Sequence, residues 1–290
     1  MGSTAMQRAT IILPLASALV ATAAATAGSR VGEAFQITTD REMEQHGNRV
    51  GSQRGTSTDR DSYVERVAAV RPDGVVLEYD LPENANPDDR SSNWQFPFQV
   101  LKAPDGTIRL LNAPELATRI DRWLKAAGMS RAACGKLVFT WNAFRIDCDP
   151  QSTIRWLAAV ALPDRLEAGT TFSDPDARTS TTLRQASADR LVATLPIDPA
   201  ALRRQRAQTD VAVAELMHKA LTLDAALKAH EAETVTGTIE ITFDLDSVGR
   251  AHRRTRVKTV QIAWPNGRID TQTVTDTLMR TPILADSKSS

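Results

Sequence analysis

The stretch VTGTIEITFDL, residues 235–245, alternates apolar and polar side chains along its whole length. A period of two places the two sets of side chains on opposite faces of a β-strand. One set is mostly apolar and the other is rich in threonine and acidic residues, so we expect one buried face and one face in water. That pattern is typical of an antiparallel sheet. We therefore look for antiparallel strands and tight turns in the rest of the chain.

Tight turns follow this strand. Residues 246–249 turn the chain towards residues 254–264, and a PNG turn at residues 265–267 leads into residues 269–279. Proline fixes the first turn angle and glycine supplies the positive φ that closes a hairpin. The C-terminal region is therefore predicted to be a three-stranded meander. Its last strand is rich in threonine, which we take to favour an exposed sheet edge.

Two PDG turns, at residues 72–74 and 104–106, predict a second meander near the N-terminus by the same chemistry. The strands that they join are predicted at residues 63–70, 75–81, 94–101 and 107–111. Further along the chain, residues 166–195 indicate short strands separated by a surface loop at residues 173–176.

Three helices are predicted between the meanders. They begin at Asn112, Asp149 and Asp198, each with a proline in the first turn, and the third is expected to break near residues 222–224. Their inward-facing residues are predicted to be Leu116, Ile120, Trp123, Leu124, Ala127, Ile154, Leu157, Ala158, Ala161, Leu202, Val213, Leu216, Met217, Ala220 and Leu227. Because strands and helices do not alternate regularly, the fold class is α+β rather than parallel α/β.

The predicted architecture is therefore antiparallel β-meanders, N- and C-terminal, packed on about three helices. The two meanders either join in one large curved sheet or stay separate. Correspondingly, residues 28–290 form one domain or two subdomains, 28–161 and 162–290.

Residues 1–27 have the layout of a secretory signal peptide. Arg8 precedes an uncharged run at residues 9–25, and small residues end the segment, so cleavage is expected between Ala27 and Gly28. An uncleaved membrane anchor is the alternative, but the run is shorter than the roughly 20 apolar residues that a span needs. Either Met1 or Met6 is the true start. We expect a periplasmic or secreted protein with no integral membrane segment after cleavage.

Cys134 and Cys148 are the two cysteines of the chain. In an exported protein we expect them to form a disulfide, which would pin the base of a hairpin predicted at residues 136–147. Two buried free thiols are the alternative. No cysteine lies near the cleavage site, so the protein is not expected to be a lipoprotein.

The chain has 35 basic and 35 acidic residues, so its net charge of zero gives no general attraction to polyanions. We therefore expect no binding to nucleic acid. The histidines, His46, His218, His230 and His252, lack metal-ligand spacing and are predicted to lie on the surface or on helix faces. No nucleophile elbow or phosphate-binding glycine motif is present. No metal, cofactor or catalytic residue is predicted, and the chain is not expected to be an enzyme.

Aromatic residues cluster in two nearby stretches of sequence. They are Trp94, Phe96, Phe98, Phe139, Trp141 and Phe144. The simple interpretation is that these side chains form the hydrophobic core. The alternative is an apolar pocket between sheet and helices that holds a lipid-like ligand.

The segment WNAFRIDCDP at residues 141–150, together with the PDG turns and the signal sequence, resembles uncharacterised exported proteins of Gram-negative bacteria. The resemblance implies a periplasmic address and brings no active site. Three functions stay open: a non-catalytic binding or scaffold protein with an envelope protein as partner, a carrier of an apolar or lipid-like ligand, and a secreted hydrolase with dispersed catalytic residues.

Overall fold

The computed structural model describes residues 29–48, 55–139, 143–163 and 165–284. The predicted signal peptide and its cleavage site between Ala27 and Gly28 lie outside the described residues. The strands are β1 (Ala34–Gly47), β2 (Gly55–Arg71), β3 (Gly74–Asp80), β4 (Phe98–Lys102), β5 (Ile108–Leu110), β6 (Leu137–Phe139), β7 (Ala143–Arg145), β8 (Thr171–Phe172), β9 (Thr181–Thr182), β10 (Arg184–Ser187), β11 (Arg190–Pro196), β12 (Thr234–Leu245), β13 (Ala251–Ala263) and β14 (Ile269–Pro282). The helices are α1 (Pro87–Ser92), α2 (Ala113–Ala126), α3 (Ser152–Val160), α4 (Pro199–Leu216) and α5 (Leu223–Ala229).

Within the described residues, ten strands form one open antiparallel sheet in the order β10-β11-β12-β13-β14-β1-β2-β3-β4-β5. The chain enters at the centre with β1, runs outward to β5, crosses to β10 and returns to the centre with β14. The predicted α+β class, the two meanders and their tight turns are confirmed. The two meanders join in one sheet because β1 pairs with β14 from Phe35 and Pro282 to Gly47 and Asp270.

The prediction that the last strand is an exposed edge is wrong. Strand β14 lies at the centre of the sheet, with β13 on one side and β1 on the other. Its threonines suit this position because a β-branched side chain packs well on a pleated surface. Val274 and Leu278, buried on one face of the strand, were the signal for a central position.

One face of the sheet, which we call the covered face, packs against helices and loops and carries two separate hydrophobic cores. The N-terminal core joins the sheet to helices α2 and α3 through Ile37, Val67, Leu77, Tyr79, Phe98, Val100, Leu116, Ile120, Leu124, Leu157 and Val160. The C-terminal core consists mainly of Leu183, Leu191, Leu195, Ile197, Val235, Ile239, Ile241, Phe243 and Val260. The alternation predicted for residues 235–245 is confirmed, since its apolar set faces this core.

Five α-helices are present in the described residues, against about three predicted. Helix α1 was not predicted, and the break expected in the third helix separates α4 from α5. The inward positions predicted for Val213, Met217 and Ala220 are wrong, because these side chains are exposed at or just after the end of α4. Ala127 and Ala158 were also predicted to face inward and are exposed. This helix buries small residues instead, Ala207 and Ala214. No helix in the described ranges is both long and apolar enough to cross a membrane.

Strand β4 begins four residues later than predicted. Trp94 and Phe96 precede the strand, and the Phe96–Pro97 peptide bond is cis. Proline donates no hydrogen bond to a sheet ladder, so it lies just before the paired residues. The side chains of Trp94, Phe96 and Phe98 are nevertheless all buried.

The predicted disulfide is present, with Cys134 and Cys148 joined by an S–S distance of 2.05 Å. It lies at the base of the hairpin formed by β6 and β7, as expected. The free-thiol alternative does not hold in this structure. The bridge brings the end of the hairpin against α3, which begins shortly after Cys148.

Candidate functional site

An aromatic cavity of about 240 Å³ opens between helices α2 and α3, the disulfide hairpin and the loop before β4. Four rings from four different elements line it: Trp94, Phe98, Trp123 and Trp156. Trp94 precedes β4 and Phe98 begins it, while the other two lie on the helices. Because each ring is held by a different element, the tertiary fold creates the cavity and no single segment contains it.

Trp156 is the centre of the aromatic cluster that forms one wall. Its ring packs edge-on against four others, with centroid distances of 4.7 Å to Tyr63, 5.4 Å to Phe96, 5.7 Å to Phe98 and 6.2 Å to Tyr79. Edge-to-face packing is the preferred geometry of aromatic pairs and adds to their burial energy. The wall is therefore rigid, and the cavity is largely formed before any ligand arrives.

The structure brings together part of the predicted pocket. Trp94 and Phe98 line the cavity, and Phe96 packs behind it in the aromatic cluster. The side chains of Phe139, Trp141 and Phe144 lie outside the described part of the structure. The sequence interpretation missed Trp156 and assigned Trp123 only to the helical core. A tryptophan on each of two helices, in the last turn of α2 and in the middle of α3, was the available signal.

The two charged groups in the lining of the aromatic cavity are already paired. Arg145 forms an ion pair with Glu215 of α4 at 3.3 Å, and Asp147 lies 3.6 Å from Arg155. Thr153 donates its hydroxyl to the carbonyl of Pro150. The lining also includes the uncharged polar residues Ser92, Asn93, Gln95 and Ser152.

A second cavity, of about 320 Å³, lies on the covered face between the two hydrophobic cores; we call it the polar cleft. Its floor is Thr39 and Leu278, and its charged lining includes Asp59, Asp61 and Arg254. Cross-strand register explains this arrangement, because Asp61 is opposite Thr39, Thr39 opposite Leu278 and Leu278 opposite Arg254. Side chains opposite one another in a sheet share a face.

Arg256, beside the polar cleft, joins the sheet to the loop at residues 173–176. Its Nε lies 2.7 Å from Asp174 Oδ2 and its Nη2 2.7 Å from Asp176 Oδ2. Lys258 Nζ is 2.8 Å from the same Asp176 oxygen. Burial opposes the charge of Arg256, but Asp174 and Asp176 outweigh it and raise the pKa of the guanidinium above its usual range.

The loop at residues 173–176 is therefore only in part the surface loop that the sequence predicted, because Ser173 and Pro175 are exposed but Asp174 and Asp176 contact the sheet. Asp174 is 9% exposed and accepts two hydrogen bonds from the guanidinium of Arg256. A bidentate pair of this kind fixes both position and orientation of the loop. The prediction failed because the partner of the acidic residues lies about 80 positions away in sequence.

His230 is buried as well, against the prediction of a surface or helix-face histidine. Its Nε2 lies 2.7 Å from Asp210 Oδ2 on α4, and its Nδ1 lies 2.8 Å from Glu233 Oε1. Both ring nitrogens therefore contact carboxylates in this arrangement. The spacing of three residues between His230 and Glu233 was a signal for their contact. No group of three or more potential ligands in the described ranges could hold a metal ion.

Comparisons with known proteins identify no family. No family model matches the sequence, and no curated protein matches it significantly. A structure of lipovitellin, reported for its lipid–protein interactions, is 10% identical, with a TM-score of 0.39 and coverage of 90% of this chain and 26% of the lipovitellin chain. A structure of a candidate thioesterase II from Thermobifida fusca YX is also 10% identical, with a TM-score of 0.10 and coverage of 84% and 77%. This chain therefore spans about a quarter of the lipovitellin chain, and TM-scores this low do not establish a shared fold.

Proposed function

We propose that this chain is an exported, non-catalytic binding protein whose aromatic cavity holds the apolar part of a ligand. The observation that carries the proposal is the enclosure of about 240 Å³ by the rings of Trp94, Phe98, Trp123 and Trp156. A concave site that combines aromatic walls with polar groups that orient the ligand is a common form of a small-molecule site.

The preferred ligand is apolar and uncharged. Moving a charge into an apolar cavity without a partner is costly, and the charged groups at the rim, Arg145 and Asp147, are already engaged by Glu215 and Arg155. A fatty alcohol or the end of an acyl chain meets this requirement better than a free fatty acid. The volume accommodates one chain end and excludes several chains side by side.

Two independent features support the proposal that the protein is exported. Residues 1–27 have the pattern of a cleaved signal peptide, and Cys134 and Cys148 form a disulfide of the kind that persists in oxidising compartments. Cell fractionation with immunoblotting is the test: a shortened chain, beginning at Gly28, is expected in the periplasm or the medium. A full-length chain that fractionates with cytosolic proteins would contradict the address.

Calorimetric titration with 1-decanol and with decanoate tests the ligand. We expect the alcohol to bind more tightly than the carboxylate, and Trp123→Leu to weaken alcohol binding at least tenfold. Trp264→Leu is the matched control, since Trp264 is also partly buried but packs against the other core. Equal binding by both variants, or no binding of either probe by the parent chain, would refute the proposed site.

Native mass spectrometry of protein purified gently from the envelope adds a direct observation. A retained apolar mass that disappears in Trp123→Leu and persists in Trp264→Leu would identify the natural occupant. A retained mass unaffected by either substitution would place the ligand elsewhere.

A further inference from the structure

The polar cleft contains opposite charges that the protein itself does not pair. Arg256 is engaged by Asp174 and Asp176, and Arg41 lies 3.4 Å from Asp276. Once these pairs are set aside, the cleft is left with acidic groups on one wall and one arginine on the other. A molecule with a cationic group at one end and an anionic group at the other would match these two walls in charge.

Arg254 is the unpaired cation. Within the described residues its guanidinium donates to the carbonyl oxygen of Ala159, near the end of α3, at 2.9 Å, and no carboxylate lies within ion-pair distance. Burial lowers the pKa of Arg254 and the neighbouring charge of Arg256 lowers it further, against the more distant charges of Asp276 and Asp174, which raise it without restoring the usual value. An anionic group seated beside Arg254 would offset both effects, because it favours the charged guanidinium.

Asp59 and Asp61 form the opposite wall on β2. No cation of the described residues forms an ion pair with either carboxylate. Partial desolvation in the cleft raises the pKa of Asp61, and the charge of Asp59 raises it further, against a hydrogen bond with Tyr63. A cationic group between the two carboxylates would relieve their repulsion.

The spacing of the two walls suits a small ligand. Asp61 and Arg254 lie in one row across the sheet, separated by the strands of Thr39 and Leu278. Three strand spacings place their backbones roughly 14 Å apart, so the two side chains leave a gap that they do not close by contacting each other. The floor between them is uncharged.

We propose that the polar cleft binds a zwitterionic group, with its ammonium at Asp59 and Asp61 and its phosphate or carboxylate at Arg254. This site is separate from the aromatic cavity but adjoins it. Helix α3 contributes Trp156 to the aromatic cavity and Ala159 to the cleft. The zwitterion is either a free solute or the headgroup of a lipid whose chain reaches the aromatic cavity.

Calorimetry with three probes distinguishes these sources. They are glycerophosphocholine, which is a headgroup alone, a short-chain lysophosphatidylcholine below its micelle concentration, and 1-decanol, which is a chain alone. A free-solute site predicts binding of glycerophosphocholine. A lipid site predicts that the lysolipid binds at least tenfold more tightly than either part.

Asp61→Asn and Arg254→Gln provide the test of the charges. Each is expected to weaken binding of the zwitterionic probes at least tenfold and to leave 1-decanol binding unchanged. Arg253→Gln is the matched control, because Arg253 is the neighbouring residue on the opposite, exposed face of β13. Asp61→Asn removes a repelling charge, so its thermal midpoint is expected to equal or exceed that of the parent chain.

The proposal is overturned if neither zwitterionic probe binds, or if both bind equally well to the parent chain and to the two cleft variants. It survives a failure of the aromatic site, because glycerophosphocholine does not need that cavity. Conversely, loss of 1-decanol binding in Trp123→Leu with unchanged glycerophosphocholine binding would support both sites independently.

Discussion

Nδ1 of His230 lies 2.8 Å from Oε1 of Glu233, and both side chains are withdrawn from water at the end of α5. The second oxygen of Glu233 has no hydrogen-bond partner in the described structure. His230 also reaches Asp210 on α4, so one imidazole joins two helices to the segment that enters β12. The stability of this half of the molecule therefore depends on one buried histidine.

His230→Ala is expected to lower the free energy of unfolding by about 2 kcal/mol, because it removes the side-chain contacts with Glu233 and Asp210, although Arg206 still contacts Glu233 Oε1 at 3.2 Å. Urea unfolding followed by circular dichroism measures the effect. His252→Ala, at an exposed position of β13, is the control and should change stability by less than about 0.5 kcal/mol. Equal stabilities of the two variants would show that the buried pair carries no such energy.

Acid should destabilise the fold through Asp176. Burial opposes its charge, but Lys258 and Arg256 outweigh burial and lower the pKa of Asp176. A lowered pKa in the folded chain means that the stabilisation is complete above the unfolded value of about 4 and is lost as the pH falls towards the folded value. Asp176→Asn should flatten the decline of the urea midpoint below pH 4. The exposed control Glu83→Gln should show the same pH dependence of the urea midpoint as the parent chain. Identical pH dependence in the parent chain and both variants would contradict a contribution from Asp176.

The phenol of Tyr63 is expected to ionise at a higher pH than a free tyrosine. Burial and the negative charge of Asp61 raise the pKa of Tyr63 to about 12. The folded chain then holds the phenolic proton more tightly than the unfolded chain, so this stabilisation is present below about pH 10 and declines as the pH rises towards 12. Ultraviolet titration should show a phenolate signal near pH 12 that is lost in Tyr63→Phe. Ionisation of that signal near pH 10 would contradict the buried position.

Removing the disulfide should weaken both stability and binding. Closing a loop of about 15 residues is worth about 3 kcal/mol in the chain-entropy model, so Cys134→Ser with Cys148→Ser should lose a comparable amount. Arg145 and Asp147, which line the aromatic cavity, lie next to the bridge, so 1-decanol affinity should also fall. Reduction of the parent chain by dithiothreitol should reproduce both changes. Unchanged affinity after reduction would show that the hairpin keeps its position without the bridge.

The parts of the fold that were predictable are local ones. Each PDG or PNG turn lies between strands that it joins directly, and turn chemistry depends on a few adjacent residues. The central pairing of β1 with β14 was not predictable in this way, because Phe35 and Pro282 are at opposite ends of the described chain. Threonine-rich strands are compatible with either an edge or a central position, and the sequence pattern alone did not distinguish them.

In the candidate sites, too, local features were predictable from the sequence and long-range contacts were not. Trp94 and Phe98 were found because they alternate within one segment, whereas Trp123 and Trp156 join them only through the packing of two helices. The polar cleft was missed because cross-strand register brings its residues together. Asp61 and Arg254 are almost two hundred positions apart, and neither belongs to a recognisable motif.

The pairing of β1 with β14 also has a consequence for how the molecule is made. Synthesis proceeds from the N-terminus, so β1 emerges long before its partner β14. Contacts between such distant segments carry the largest loop-closure cost and form late. If the chain is threaded through a membrane before it folds, the centre of the sheet stays open until β14 has crossed, and the topology disfavours folding before that point.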